Sequence, residues 1–267
     1  MTSVVVQGEP LTTFPMDLTG QIVLITGASS GIGQECARVL APLGVRLLLV
    51  ARRRERLATL AQELPTPCLV CPLDVRDRQA VEQWFTQLPP DWQAIDVLIN
   101  NAGLSRGLEP LHQGNPDDWE EMIDTNLKGL LYMTRQVLPG MVARGWGHIV
   151  NIASIAGIDA YPGGNVYCAT KAAVRMLGDA LKHDLLGTPV RVTTINPGLV
   201  ETEFSSVRFH GDGERAKQVY QGLTPLTGRD VAEAVAFCLT RPPHVNIQEL
   251  TLLPVDQANT LRVHRRD

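Results

Sequence analysis

Seven short runs of apolar residues recur along the chain, and stretches with apolar residues at helical spacing separate them. In the first two runs the apolar residues are nearly continuous, which is typical of strands buried on both faces of a parallel sheet. The intervening stretches repeat their apolar positions every three to four residues, as an amphipathic helix does. The predicted strands are residues 21–26, 45–50, 68–73, 95–99, 148–153, 191–196 and 247–253.

The regular alternation of strand and helix predicts a single α/β domain, in which a doubly wound parallel sheet of Rossmann type carries helices on both faces. No linker or change in composition divides the chain. Residues 18–267 are assigned to this domain and residues 1–17 to an N-terminal extension. Residues 199–227, hereafter the lid segment, are polar, rich in turns and follow a strand end, which is typical of a mobile substrate lid.

Composition and charge narrow the functional classes. The 267 residues are 44% hydrophobic and 19% charged, as in ordinary globular proteins, and their formal net charge is −4. This balance argues against general binding to nucleic acid or anionic membranes, and no apolar run approaches the ~20 residues of a membrane span. Residues 1–20 lack the basic and apolar regions of a secretion signal. Five cysteines, an odd number, suit a reducing compartment, so we expect a cytoplasmic protein.

Cys68 and Cys71 have the spacing of a metal-binding or redox pair. No second cysteine pair and no nearby histidine completes a zinc site, and Pro67 and Pro72 flank the pair. We therefore favour a strand with small buried side chains, and we expect no bound metal ion.

A glycine-rich stretch directly follows the first predicted strand. Residues 27–33 have the spacing Gly-x-x-x-Gly-x-Gly and lead into a predicted helix at residues 34–43. Glycine lets the backbone approach a pyrophosphate, and a helix N-terminus offers free N–H groups with a favourable dipole. The alternative is a turn without a ligand, but strand, glycine loop and helix in this order favour binding of a dinucleotide.

The end of the second predicted strand bears on the choice of dinucleotide. An acidic residue there binds the ribose 2′-hydroxyl and repels a phosphate, whereas arginine accommodates a 2′-phosphate. Ala51 occupies this position, and Arg52 and Arg53 follow it. A solvated basic helix start is the alternative, but we favour NADP(H), with Arg52 as the main phosphate partner and Arg53 as its helper.

Two further strand ends supply polar side chains. Asp74 and Val75 follow the third predicted strand, where a carboxylate either accepts from an adenine amino group or caps a helix predicted to begin near Arg76. Residues 100–103, Asn-Asn-Ala-Gly, follow the fourth. Their small and amide-bearing side chains suit contact with a cofactor and hydrogen bonds between strands.

Tyr167 and Lys171 lie four residues apart in an alanine-rich stretch, which predicts that both side chains leave one face of a helix. An ammonium group one turn away favours the phenolate and lowers the tyrosine pKa, which is ordinarily about 10. The pair alone is a weak motif, because the same spacing occurs by chance on helix surfaces. Ser154 ends the fifth predicted strand. Asn126 interrupts the apolar face of a long helix, where a buried amide is either a satisfied structural group or a functional one.

Together these motifs resemble the short-chain dehydrogenase/reductase family in type, order and spacing. The resemblance covers about residues 18–255. Within the family the chain is similar to the NADP-dependent 3-hydroxy acid dehydrogenases, a group that includes serine and allo-threonine dehydrogenases. The family motifs are residues 26–33, residues 100–103, Asn126, Ser154, Tyr167 with Lys171, and Pro197 with Gly198, and the likeness to the subgroup lies in residues 118–134, 164–167, 202–209 and 244–247.

The resemblance implies a role for each motif and a homotetrameric assembly. Tyr167 would act as the general acid/base, and Lys171 would lower its pKa and bind the nicotinamide ribose. Ser154 would bind the substrate oxygen, and Asn126 would hold a water molecule in a proton relay. The expected cofactor-binding residues are Gly27, Ser29, Ser30, Gly31, Ile32, Gly33, Arg52, Arg53, Asp74, Val75, Asn101, Ala102, Gly103, Tyr167, Lys171, Pro197, Gly198, Val200 and Thr202.

The lid segment adds one candidate of its own. The fork-shaped guanidinium of Arg208 suits the carboxylate of a 3-hydroxy acid, and the alternative is a surface arginine paired with Glu201 or Glu203. The expected function is NADP(H)-dependent hydride transfer to or from a small 3-hydroxy acid such as serine, allo-threonine or 3-hydroxyisobutyrate. The alternatives are a broader carbonyl or 3-oxoacyl reductase with the same groups, and a cofactor-sensing regulatory protein, which would have been expected to lose part of the catalytic set.

Overall fold

A seven-stranded parallel sheet forms the centre of the computed structural model, which describes residues 16–266. In chain order the strands are β1 (Ile22–Thr26), β2 (Arg46–Ala51), β3 (Cys68–Pro72), β4 (Val97–Asn100), β5 (Gly147–Ile152), β6 (Val190–Pro197), β7 (Val200–Glu201), β8 (Leu226–Thr227) and β9 (Glu249–Leu252). The main sheet has the order β3-β2-β1-β4-β5-β6-β9, with every pair parallel. The predicted doubly wound sheet is confirmed, one strand for each apolar run. The predicted N-terminal extension lies outside the described residues except for Met16 and Asp17.

Helices cover both faces of this sheet, as predicted. One apolar layer joins Val23, Ile25 and Leu47 of the sheet to helices on one face. The other joins Leu24 and Leu48 to helices on the opposite face. Among the described residues, no helix combines the length and the apolar character that crossing a membrane requires. The helices are α1 (Gly31–Leu40), α2 (Arg54–Glu63), α3 (Arg78–Thr86), α4 (Pro116–Ile123), α5 (Leu130–Arg144), α6 (Asn165–Asp184), α7 (Phe204–Arg208), α8 (Gly213–Gln218) and α9 (Gly228–Leu239).

Two predicted helix starts are corrected. The first helix begins at Gly31 rather than residue 34, so the last glycines of the loop belong to its first turn, and residues 41–43 form a separate 3₁₀ turn. The helix after β3 begins at Arg78, where the Asp77 carboxylate accepts the Ala80 N–H and caps the helix. Asp74 therefore does not cap this helix. Its carboxylate instead accepts from the Arg76 backbone N–H and guanidinium.

The lid segment contains more regular structure than its sequence predicts. Strands β7 and β8 pair at its two ends, Val200 with Leu226 and Glu201 with Thr227. Helices α7 and α8 lie between them. At five and six residues, these helices are too short to show a helical repeat in the sequence.

Cys68 and Cys71 both lie in β3, and they are free thiols. Burial raises the pKa of Cys68 to about 11 and that of Cys71 to about 12. A reactive thiol requires the opposite shift. The interpretation as a strand with small side chains is confirmed.

Candidate active site

The carboxyl ends of β1 and β4 are joined by a set of hydrogen bonds around Thr26 and Asn101, hereafter the β1–β4 junction. The Thr26 hydroxyl accepts the backbone N–H groups of Asn101 and Ala102, each at 3.0 Å. The Asn101 amide donates to the Thr26 carbonyl at 2.9 Å. In this sheet the strand order reverses at β1, so a crevice opens beside β4. Ligands of open α/β sheets bind in such crevices at the carboxyl ends of the strands.

Above this junction the glycine loop turns tightly into α1. Gly27 and Gly31 have φ angles of +67° and +56°, which disfavour any residue with a Cβ. A Cβ on Gly33 would lie 2.4 Å from the Asn101 amide nitrogen and 2.5 Å from the Gly27 carbonyl oxygen. Ser30 precedes α1, and its side chain does not cap the helix. The first N–H groups of α1 therefore lack this internal partner, which suits a phosphate.

A cavity of about 440 Å³ runs from the glycine loop to the lid segment. It brings together almost all the site residues expected from the sequence. Gly33 and Asn126 do not line it. The expected residues that do line it are Gly27, Ser29, Ser30, Gly31, Ile32, Arg52, Arg53, Asp74, Val75, Asn101, Ala102, Gly103, Ser154, Tyr167, Lys171, Pro197, Gly198, Val200, Thr202 and Arg208.

Tyr167 and Lys171 share one face of α6, as their spacing predicts, and both are buried. The Lys171 Nζ atom lies 5.9 Å from the centre of the Tyr167 ring and donates to the Ile152 carbonyl at 2.8 Å. Ser154 lies beside Tyr167 at the end of β5, and its hydroxyl accepts the Ala156 N–H at 3.1 Å. The structure thus places a phenol, a hydroxyl and a buried ammonium around one end of the cavity.

Burial dominates the proton affinities of this group. It raises the pKa of Tyr167 well above its ordinary value, against the opposing influence of the Arg208 guanidinium and the Ser154 hydroxyl. It also lowers the pKa of Lys171 to about 8, because an ammonium ion loses its hydration there. The sequence-based expectation that Lys171 brings the Tyr167 pKa down thus overlooks the larger cost of burying the phenolate.

Asn126 lies in a π-helical turn, Asp124–Gly129, between α4 and α5. Its amide donates to the Leu104 carbonyl and the Thr170 hydroxyl, and its oxygen accepts the Leu104 N–H at 2.8 Å. Both donors of the side chain are therefore used within the protein. The sequence left open whether the Asn126 amide is structural or functional. This geometry supports a structural role, in which the side chain holds the loop after β4 against α6. Such π turns often occur at functional sites.

Arg208 projects from α7 toward Tyr167. Its Nε donates to the Ser105 hydroxyl at 3.0 Å and its Nη2 to the Tyr161 hydroxyl at 2.7 Å. Its Cζ lies 5.2 Å from the centre of the Tyr167 ring. The alternative of pairing with Glu201 or Glu203 is wrong for this arrangement. Within residues 16–266, no carboxylate lies in ion-pair distance of Arg208.

Glu203 instead pairs with Arg53, which directly precedes α2, and with Arg56 in its first turn. Its carboxylate accepts from Arg53 at 2.9 Å and from Arg56 at 2.6 Å. Arg53 also donates to the hydroxyls of Ser29 and Ser30. Arg53 is therefore largely engaged by the loop and the lid segment. The Arg52 side chain is 57% exposed, and its nearest carboxylate, Glu121, is 4.0 Å away.

Sequence reasoning missed the two partners of Arg208. Ser105 and Tyr161 belong to loops and carry no motif, and they meet Arg208 only through contacts across more than forty residues. Gln257 and Thr260 also line the cavity from the far end of the chain. Ser105 follows the predicted site residues 100–103, and Tyr161 precedes Tyr167. This proximity in sequence to predicted site residues is the one feature that could have identified them.

A parallel sheet with a glycine loop at its switch point, and a Ser-Tyr-Lys group at the other end of the same cavity, define a dinucleotide-dependent oxidoreductase. The chain belongs to the short-chain dehydrogenase family, whose model matches residues 21–212.

Several relatives extend the match over nearly the whole chain. An NADP-dependent 3-hydroxy acid dehydrogenase, YdfG, of Salmonella typhi is 54% identical over 91% of this chain and 99% of that protein. A protein of the same description from Schizosaccharomyces pombe is 43% identical over 93% of this chain and 98% of its own length. A solved closed form of serine dehydrogenase complexed with NADP+ superposes with a TM-score of 0.87, at 52% identity, over 92% of this chain and 100% of that one.

The close packing at Gly33 generates a prediction for the loop. We expect Gly33→Ala to weaken binding of a nicotinamide dinucleotide by about tenfold or more, since a Cβ there overlaps Asn101 and the Gly27 carbonyl. Titration of reduced-cofactor fluorescence measures this. Gly213→Ala is the matched control, because a Cβ at Gly213 meets nothing within 4 Å. Equal affinities for the two variants would contradict the assignment of this loop.

Proposed function

We propose that this protein is an NADP(H)-dependent dehydrogenase of small 3-hydroxy acids, of the serine, allo-threonine and 3-hydroxyisobutyrate type. The observation that carries the proposal is Arg208, an arginine without a carboxylate partner among residues 16–266 that faces Tyr167 across the pocket. Such a fork-shaped cation, beside a phenol and a hydroxyl, suits a substrate that carries a carboxylate close to its alcohol. The printed descriptions of the relatives support this substrate class.

The residues of the cavity suit NADP(H) as the cofactor. The uncapped start of α1 and the glycine loop would hold the pyrophosphate, and Asp74 and Val75 would lie against the adenine. Arg52 would bind the 2′-phosphate, because its guanidinium is mostly exposed and no ion pair shorter than 4.0 Å holds it. Lys171 would bind the nicotinamide ribose, and Pro197, Gly198 and Thr202 would orient the nicotinamide ring.

In the proposed reaction the cofactor, when bound, supplies or accepts the hydride. During oxidation the Tyr167 phenolate takes the proton of the substrate hydroxyl, and during reduction the phenol returns it to the carbonyl oxygen. The Ser154 hydroxyl donates to this oxygen and stabilises its developing negative charge. Asn126 positions the loop after β4, and the Lys171 ammonium, held on the Ile152 carbonyl, adds positive charge beneath the phenol. We assign a relay water to the neighbourhood of Asn126.

Arg208 would fix the substrate by its carboxylate. The Nε donor is engaged by Ser105 and one Nη2 donor by Tyr161, which leaves both Nη1 donors and the second Nη2 donor for a ligand. The lid segment, which carries Arg208 on α7, would close over the substrate. This arrangement places the anchor of the acid group on one side of the pocket and the proton donor on the other.

Apolar side chains on the outer helices support the homotetramer. Leu131 and Val142 of α5, Met176 of α6 and Phe237 of α9 are all more than 40% exposed. Large exposed apolar side chains on several helices suit subunit contacts. We expect light scattering to give about four times the 29.2 kDa of one chain, and the monomer mass would refute the assembly.

We propose a cytoplasmic location on the composition and cysteine usage.

The cofactor assignment generates a test at Arg52. We expect Arg52→Asp to weaken NADP binding by about tenfold or more, since it removes one charged contact to the 2′-phosphate and adds a repulsive charge. NAD binding should change little, so the preference reverses. Arg54→Asp is the matched control, because Arg54 carries the same charge in the first turn of α2 but does not line the cavity. Equal binding of NAD and NADP by the unmodified protein would contradict the proposal.

The substrate class is tested by a panel with NADP, read by cofactor absorbance. It comprises serine, 3-hydroxyisobutyrate, 3-hydroxybutyrate, methyl 3-hydroxybutyrate and a 3-hydroxybutyryl thioester. We expect the free acids to be preferred. We also expect Arg208→Ala to lower the ratio of kcat/KM for 3-hydroxybutyrate to that for its methyl ester by about 10- to 100-fold, the effect of one charged hydrogen bond.

Two outcomes would overturn this proposal. Preference for the thioester or ester in the unmodified protein would favour the broader reductase instead. Full activity of Tyr167→Phe on every member of the panel would remove Tyr167 from the chemistry, since general acid/base groups typically contribute 10²- to 10⁴-fold.

A further inference from the structure

Arg208 is oriented toward the general acid/base as well as toward the space for the substrate. Its Cζ lies 5.2 Å from the centre of the Tyr167 ring, compared with 5.9 Å for the Lys171 Nζ. Ser105, Tyr161 and the ring of Phe204, 5.3 Å away, hold the guanidinium in place. The Arg208 backbone carbonyl also accepts the Gly107 N–H at 2.9 Å. The contact with Tyr167 is thus fixed by several groups on different loops.

The charged and titratable groups around Tyr167 are few. Lys171 and Cys168 share α6 with it, Tyr161 faces it from the preceding loop, and Arg208 faces it from α7. The remaining contacts are the Ser154 hydroxyl and apolar side chains, among them Leu104, Met122 and Phe204. None of these groups is a carboxylate. No anion among these described groups therefore opposes the effect of the Arg208 charge on the phenol.

The two cations differ in their surroundings and in their effect on Tyr167. Burial lowers the pKa of Lys171 to about 8, because the ammonium ion loses its hydration. The Lys171 ammonium is also directed to the Ile152 carbonyl, whereas Arg208 is the main group that lowers the pKa of Tyr167 against the effect of burial.

We propose that Arg208, besides binding the substrate carboxylate, stabilises the phenolate of Tyr167 across the pocket and so helps to activate the general base. This inference rests on the proposed role of Tyr167. The same side chain then serves two steps, the recognition of the acid group and the removal of the hydroxyl proton.

The test is the pH dependence of kcat/KM for oxidation with saturating NADP, in the unmodified protein, Arg208→Gln and Arg208→Lys. The substrate is methyl 3-hydroxybutyrate, which has no carboxylate and so isolates the effect on Tyr167. Glutamine retains a hydrogen-bonding amide without the charge, whereas lysine retains the charge without the fork. A cation within about 4–6 Å shifts a pKa by roughly one unit or more.

We therefore expect the acid limb of the profile to move about one pH unit higher in Arg208→Gln and only slightly in Arg208→Lys. A second readout is the phenolate absorbance of the NADP-saturated protein, taken as the difference from Tyr167→Phe, which should move in the same direction. Arg215→Met is the control. Arg215 lies on the same lid segment, stacked on Phe209 at 4.4 Å, but does not line the cavity.

The proposal is overturned if the acid limb and the phenolate titration of Arg208→Gln coincide with those of the unmodified protein. It is also overturned if Arg208→Lys shifts as far as Arg208→Gln, since contact geometry rather than charge would then be responsible. Failure of the proposed substrate class is seen separately, as oxidation of the ester without preference for the acids. Failure of the Tyr167 assignment is seen as an unchanged rate in Tyr167→Phe.

Discussion

The active site depends on how the backbone leaves the sheet at the ends of β1 and β4. Backbone groups that leave a buried sheet need new partners, because unpaired polar groups in an apolar interior are costly. The Thr26 hydroxyl and the Asn101 amide supply these partners at the β1–β4 junction. Asn100 ties β4 to α5 and β5 by side-chain contacts, since its amide donates to the side-chain oxygens of Thr134 and Asn151. The crevice remains open because side chains, rather than a continuing ladder, satisfy these groups.

At the other end of the cavity, two cationic side chains have no carboxylate partner among residues 16–266. Lys171 is only 5% exposed and has a carbonyl rather than a carboxylate as its partner. Arg208 is held by two hydroxyls and three aromatic rings. Such arrangements cost folding free energy, and they are typical of sites whose charges are matched to a ligand or a transition state. By contrast, Arg53 and Arg56 both pair with the Glu203 carboxylate at the surface, where ion pairs contribute little to stability.

The sequence predicted the sheet well and the lid segment poorly, for physical reasons. A strand buried on both faces is largely apolar, so β1 and β2 could be recognised directly. The glycine loop and the Tyr167–Lys171 pair could be found because local spacing determines their geometry. Helices α7 and α8 are too short to show a repeat. The pairing of Arg208 with Ser105, and of Arg53 with Glu203, joins residues 103 and 150 positions apart, and nothing in the local sequence records it.

The all-parallel order of the sheet has a consequence for how the protein folds. Neighbouring parallel strands cannot be joined by a tight hairpin, so each pair needs a long crossover connection. The entropy cost of closing that long loop precedes the stabilising contacts between the strands. Contacts of β1 with β2 span few residues, whereas the β1–β4 junction joins positions 75 apart and the lid contacts of Arg53 join positions 150 apart. During refolding, the binding site should therefore form late, because it depends on contacts between positions that are far apart along the chain.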